Sequence, residues 1–578
     1  MKRIANILVA CVVACAAWAV PARKGAVEMT QPDGSIVNVY LHGDESFHWQ
    51  TNELGEWIEL NEEGYFHVVE ALNEGQIRAN SMSNRRGIQR PARAAVDLNL
   101  APRGLVILVN FADLAFETSK VEMDSMIAGK NYTRDYYYLN KKKDTIQVTS
   151  SGSAWQYFYD SSYGQYDPQF DVVGPVTVSK KMSHYGQNGT WSNDANVDQM
   201  IKEACELIED SVDFKEYDND GDGEVDFVYV IYAGYGEADG GGANTIWPHT
   251  WQLDAAGTRC FVDSMVVNLY ACANELEYES KAHTGIGTFC HEFSHVLGLP
   301  DLYVTDYGDH KTWGEWSVMD YGPYANNGNT PPAYSAYERF FMGWLTPELI
   351  VDSAEMVLEE LNSSKMAFLI SETDEHNLIG NDPNPTTFYL LENRQQTGWD
   401  EYLPGHGMML TKVQYSYSKW TQNTVNNTSS KQGVDIIEAL TNKGKSEKAT
   451  DLFPAGATEY TKITDHAIRN IEEKDGVIYF RYRMSELIEE EEEEGGEDNG
   501  ENEGGNGDGT EDDGTEDDGK EDEDEEEEGD GVEDVLVEQN VVAIYNLLGQ
   551  KQMTNDIENL ARGTYIVKTS SGTYKIVR

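Results

Sequence analysis

From Gly104 to Phe111 the chain reads GLVILVNF, almost without a polar position, which predicts a strand buried on both faces. FVYVIYAG (227–234) repeats that pattern. Between them, Val197, Ile201, Cys205 and Ile208 recur at three- and four-residue spacing within 194–210, which predicts an amphipathic helix. A second helix is expected around His291. The flanks read differently. Residues 23–84 hold short alternating runs (SIVNVYLHG, SFHWQT, GEWIEL, GYFHVVE) broken by Gly, Asn and Asp-Gly signals, the pattern of strands and turns. TTFYLLENR, MMLTKVQYSY and GVIYFRYRM make 346–484 β-rich. After a long polar gap, VVAIYNLLGQ, GTYIVKT and GTYKIVR predict a small terminal β-module. No long-period repeat is evident. The expected architecture is an α/β (α+β) region at 104–345 between a β-rich N-terminal region and a β-rich extension.

The two ends and two linkers set the boundaries. Met1-Lys2-Arg3 followed by the apolar run 4–17 and Ala17-Trp18-Ala19 reads as a signal peptide, assigned to 1–22, with Ala22 as a second cleavage candidate. The apolar run is too short for a transmembrane helix before Pro21 and Arg23. Cys11 and Cys15 leave a lipoprotein anchor as the alternative. No other segment could span a membrane as a helix, so the mature chain is expected without one. Residues 85–103 carry five Arg and little periodicity, closing a region 23–103 with a linker open to proteolysis. Residues 485–534 are acidic and of low complexity, so an extended linker is expected, and 535–578 is the terminal module.

Charge sharpens this picture. The 578 residues hold 43 Lys+Arg against 101 Asp+Glu, a net charge of −58. About 29 of those acids fall between Glu486 and Asp534, beside the single Lys520. Such a field argues against nucleic acid or anionic lipid as a partner. Aromatic residues at 11% belong to a folded protein. Export leaves Cys205, Cys260, Cys272 and Cys290, for which Cys260–Cys272, flanking an alternating run, is the preferred pairing. No CxxC pair suggests a thiolate zinc site.

The chemistry concentrates in His291-Glu292-Phe293-Ser294-His295. On a helix, His291 and His295 lie one turn apart on one face and can reach one zinc ion, with Glu292 beside it as general base for a water. Gly298 can take the positive φ that ends the helix, and Asp301 can return as a third, oxygen ligand. Further on, Ser317-Val318-Met319-Asp320-Tyr321 suggests a turn with Met319 beneath the metal and the Tyr321 phenol directed at the site as oxyanion stabiliser. Asp218, Asp220, Asp222 and Asp226 alternate around Gly221 and Gly223 as in a calcium loop, although position 12 is Tyr229 and not the EF-hand glutamate. An acidic turn without metal is the plainer alternative.

These residues carry a resemblance. HEFSHVLGLPDLY with SVMDY resembles the metzincins. VDFKEYDNDGDGEVDFVYVIYAG, NTIWPH, PPAYSAYERFFMGWL and FYLLENRQQTGWDEYLPGHGM resemble the immune-inhibitor-A family of secreted metallopeptidases. TQPDGSIVNVYLHGDESFHW resembles the pro-region of bacterial members, and the tail resembles the C-terminal sorting domain of the type IX secretion system. The resemblance implies a metzincin-like zinc peptidase fold with zinc on His291 and His295 and Glu292 as base. The third metzincin ligand is most commonly His; here Asp301 stands at that position, with Glu338 in SAYERFFMGW as the alternative. The expected protein is a secreted zinc endopeptidase made as a zymogen, acting on proteins or peptides, using Zn2+ and Ca2+, and released or held at the outer-membrane surface by type IX machinery. The rival is an exported adhesin with this fold and no turnover. Residues 23–103 contain no Cys, so a thiol cannot be the group that blocks the zinc; Asp44, His42, His48 or a freed α-amino group could do so.

Overall fold

A computed structural model describes residues 19–61, 63–73, 75–77, 102–140, 144–188, 194–441 and 446–484, and the strands 541–546, 564–569 and 573–577. The acidic stretch 485–534, most of the basic linker and residues 1–18 of the leader lie outside the described residues. The chain divides at Glu489 into two units.

The two apolar runs lie side by side. Arg103–Asn110 and Val228–Tyr235 are parallel neighbours in a five-stranded sheet, flanked by Gln169–Thr177 on one side and Leu269–Leu276 on the other. The fifth strand, His249–Gln252, pairs antiparallel with Leu269–Leu276 and forms one edge. Residues of the two central strands are almost wholly buried, as runs covered on both faces must be. One face is covered by Val197–Ile208, whose Val197, Ile201, Cys205 and Ile208 all point inward. The other face receives Ala154–Ser161 and the motif helix Gly287–Val296, on which all ten residues are buried. The region is thus a mixed α/β sandwich.

Residues 346–484 continue this core. Their five-stranded sheet contains Thr387–Arg394 and Gly407–Gln414 at its centre. Phe388, Leu390, Met409, Val413 and Trp420 belong to the same apolar cluster as Phe293 and Met319. At the N-terminal end, Ala26–Thr30, Ile36–Gly43 and His48–Thr51 form an antiparallel sheet. In the second unit Val541–Asn546, Thr564–Thr569 and Thr573–Val577 form an antiparallel sheet in that order, where the three terminal runs place it.

The cysteine expectation is corrected. The four thiols among the described residues, Cys205, Cys260, Cys272 and Cys290, are free and buried. Cys260 lies within hydrogen-bonding reach of Cys205 on the helix above it. Cys272 instead faces His249 Nδ1 at 3.6 Å. The reason is strand geometry: Cys260 opens a hairpin with Met265–Val267, whereas Cys272 is inside the central sheet.

Candidate functional site

The motif helix packs tightly because its first residue is glycine: a Cβ on Gly287 would stand 1.9 Å from the Pro323 carbonyl oxygen. The helix ends where expected, with Gly298 at φ +102°. That reversal brings Leu299 O onto His295 Nδ1 at 2.8 Å. His291 Nδ1 donates to Val318 O at 2.7 Å. Each ring therefore carries its proton on Nδ1 and turns the Nε2 lone pair inward. The two Nε2 atoms are 3.0 Å apart, and Asp301 Oδ1 lies 3.3 Å from each. Among the described residues, Asp301 Oδ1 has no hydrogen-bond donor of its own. All three residues are 0% exposed. Three acceptor atoms within 4.8 Å of one another, in a dry interior, fit a cation that accepts their lone pairs, and two imidazoles with one carboxylate fit zinc. Burial pushes His295 down to about 4, which keeps its imidazole neutral.

Glu292 stands beside this cluster. Its Oε2 accepts from Thr250 Oγ1 at 2.9 Å and its Oε1 from the backbone amide of Val20 at 3.0 Å. Burial raises its carboxyl to about 8. Thr250 reaches it because His249–Gln252 is the sheet edge facing the helix.

Val20 belongs to a segment that enters from the N-terminal region. Ala19 O accepts from Tyr303 Oη at 2.7 Å, Val20 O from Trp247 Nε1 at 3.0 Å, and Pro21 O from Tyr324 Oη at 2.7 Å. Asp44, His42 and His48 are elsewhere. Asp44 accepts from Ser46 N and Tyr307 Oη, His42 pairs with Thr51, and His48 lies against Glu237 and Trp247.

The remaining expectations divide. Met319 is fully buried; its neighbour Val318 orients His291, and its own carbonyl accepts from Leu302 N at 2.8 Å. Tyr321 stacks its ring on the Lys24 ammonium at 3.9 Å, and the phenols that meet the segment in the cleft are Tyr303 and Tyr324. Glu338 is committed to Ser317 Oγ at 2.6 Å and to the capping box of its own helix, so the third position of the cluster falls to Asp301. Asp218, Asp220 and Asp222 converge within 4.8 Å. Asp226 does not join them, because its Oδ2 accepts from the backbone and side-chain amides of Asn219.

Sequence reasoning missed Thr250, Tyr303 and Asn423. Asn423 Nδ2 donates to Asp301 Oδ2, and its Oδ1 accepts from Asp301 N at 2.8 Å. No motif could have found it, since it lies 122 residues away in the β-rich extension. Asn423→Ala is expected to weaken metal affinity about 10- to 100-fold, the effect of losing an outer-shell orienting contact; competition against a chromophoric chelator measures it.

A buried helix offering two imidazoles, a returning carboxylate and an adjacent glutamate, set against a mixed sheet, defines a metallopeptidase catalytic domain. Residues 99–345 match the family model described as immune inhibitor A peptidase M6, catalytic domain. The chain is 29% identical over 273 residues to Immune inhibitor A of Bacillus thuringiensis subsp. alesti, covering 41% of this chain and 39% of that protein. It is 25% identical over 304 residues to the Pre-pro-metalloprotease PrtV of Vibrio cholerae serotype O1, covering 47% and 33% respectively. The match thus spans less than half the length of these relatives. No described helix is long and apolar enough to cross a membrane.

Proposed function

We propose that the chain is an exported zinc endopeptidase, held latent by its own N-terminal segment. The observation that carries this reading is the convergence of three buried acceptor atoms beside a glutamate whose other neighbours leave it a proton-transfer role. His291, His295 and Asp301 hold the metal, which when bound supplies Lewis-acid polarisation. Glu292, oriented by Thr250, takes a proton from the attacking water and returns it to the leaving nitrogen. Asn423 and the carbonyls of Val318 and Leu299 fix the ligands so that none must reorganise during the reaction. In the metzincin-like reading Met319 packs below the cluster, and Tyr321 becomes available to an oxyanion only once Lys24 leaves.

Latency follows from Val20. Its nitrogen occupies the carboxylate oxygen that Glu292 needs for catalysis. In this reading the leader cut falls after Ala19, ahead of the 22/23 boundary assigned from the sequence, so that the retained segment begins at Val20 and its nitrogen, now an α-amino group, pairs with Glu292 as a charge. Cleavage within the basic linker then releases the segment. Asp218, Asp220 and Asp222 form a calcium brace ahead of the central strand Val228–Tyr235. The terminal sheet serves as a type IX sorting domain, and proteins or peptides are the substrates.

The test is hydrolysis of an unfolded protein by the activated chain, with and without chelator. Cleavage that the chelator abolishes supports the reading; a zinc-loaded, activated chain that cuts nothing favours the adhesin. The docked region should respond to pH as well. Burial alone would lower His48, but the Glu237 carboxylate at 3.0 Å, with Asp194 nearby, pushes it up to about 9. A raised histidine pKa contributes stability below about 6.5 that is lost as pH rises through about 9. The thermal unfolding midpoint should therefore fall as pH rises from about 6.5 to about 9 and level off above that. That drop should be smaller in His48→Phe.

A further inference from the structure

The segment beyond Val20 lies along the cleft in a definite direction. Ala22 N donates to Gly43 O, Arg23 N donates to Ala238 O at 3.0 Å, and the Arg23 guanidinium enters a pocket between two buried acids. Its Nη1 donates to Asp239 Oδ1 at 2.8 Å and to Glu277, while Nη2 reaches Glu279 at 3.3 Å. Asp239 and Glu277 are 6% and 4% exposed. Both are held in place without the arginine: Asp239 Oδ2 accepts from Tyr278 N at 2.6 Å, and Glu277 from Glu279 N at 3.0 Å and Ser280 N at 2.6 Å. They follow the carboxyl ends of two adjacent parallel strands, Val228–Tyr235 and Leu269–Leu276, where open α/β sheets place their ligands. Burial, with Glu277 beside it, keeps Asp239 up at about 6 even with Arg23 in place. Two such acids are costly to leave without a cation.

The mechanism fixes what this pocket faces. Glu292 returns its proton to the nitrogen of the residue just beyond the cut bond, and Val20 N occupies that place. Val20 therefore stands where the first residue on the leaving side binds, and Arg23 stands where the fourth binds. We propose that Asp239 and Glu277 form a subsite for a cationic side chain, so that the enzyme selects protein substrates with Arg or Lys at the fourth position beyond the cut. The pro-segment occupies it by mimicry. This inference rests on the peptidase reading and on the direction of residues 20–23 in the cleft.

Two measurements test it. The first is cut-site profiling of a peptide library by the activated chain and by its Asp239→Asn/Glu277→Gln double variant. The expected result is a preference of about tenfold or more for Arg or Lys over Ala at the fourth position, lost in the variant. Cleavage without that preference overturns the subsite and leaves the peptidase reading standing. The second needs no turnover: binding of the hexapeptide VPARKG, and of its Arg→Ala form, to activated Glu292→Ala chain. Weakening of about tenfold or more by that replacement supports the subsite even if no form of the chain cleaves anything, which would sink only the peptidase reading. Equal binding of the two peptides overturns the subsite.

Discussion

If the chain hydrolyses peptides as proposed, Glu292→Gln is expected to lose most of that activity while keeping its capacity to bind the metal. The carboxylate is outside the cluster of His291, His295 and Asp301, so the substitution removes no ligand atom. Glutamine matches its shape, and its amide oxygen can still accept from Thr250 Oγ1, which now donates to Oε2 at 2.9 Å. What is lost is the ability to take a proton from water and pass it to the leaving nitrogen. General acid–base catalysis of this kind is worth about 10²- to 10⁴-fold in rate. Because the proposed mechanism assigns both transfers to Glu292, the upper part of that range is expected, falling on kcat with KM little changed. Metal content by elemental analysis should remain at the parent value. A variant that retains parental kcat would remove Glu292 from the mechanism. Loss of metal together with activity would make it a structural residue instead.

How much of this site could be read from the sequence depends on how local each contact is. His291, Glu292, His295 and Gly298 are set by one helix and its end, where the periodicity of 3.6 fixes which side chains meet. Asp301 follows within a few residues of that end. The two central strands were legible for a similar reason, since a run such as GLVILVNF has no solvent face to present. The sheet order was not legible. His249–Gln252 becomes an antiparallel edge only through pairing with Leu269–Leu276, and that pairing alone brings Thr250 to Glu292. The cysteine pairing fails for the same kind of reason: Cys260 and Cys272 are near in sequence, but one lies in a hairpin and the other in the core sheet. Asn423 is the extreme case, because an ordinary asparagine in a β-rich stretch carries no pattern. Arg23 was legible only as a residue beyond an apolar run, and its partners are 216 and 254 positions away.

The extension 346–484 offered no chemical motif, yet a buried ionic network joins it to the site, and Asp400→Ala should show how firmly. Arg394 is 0% exposed; its Nε and Nη2 donate to Asp400 at 2.9 and 2.5 Å, and its Nη1 to Glu392 at 3.1 Å. Asp400 also accepts from Ala333 N at 3.0 Å and Asn362 Nδ2 at 2.7 Å, and Glu392 accepts from Ala336 N at 2.6 Å. Strand Thr387–Arg394 is thereby fastened to the start of helix Ala336–Met342. From that helix Glu338 accepts from Ser317, which precedes the Val318 carbonyl that orients His291. Removing Asp400 leaves the buried guanidinium with only Glu392 and the Ala333 carbonyl and leaves two further donors unsatisfied. Breaking one side of such a pair costs about 3–5 kcal/mol. The expected result is a denaturation midpoint far below the parent's, with reduced metal retention because the support of His291 loosens. The double variant Arg394→Met/Asp400→Leu separates charge from packing: with the cation gone it should recover part of the loss, the remainder falling to the buried Glu392 carboxylate, which loses Arg394, and to the Ala333 and Asn362 donors left without Asp400. A single variant as stable as the parent would show that water or a neighbouring acid satisfies Arg394, and that the extension is not braced to the catalytic region through this network.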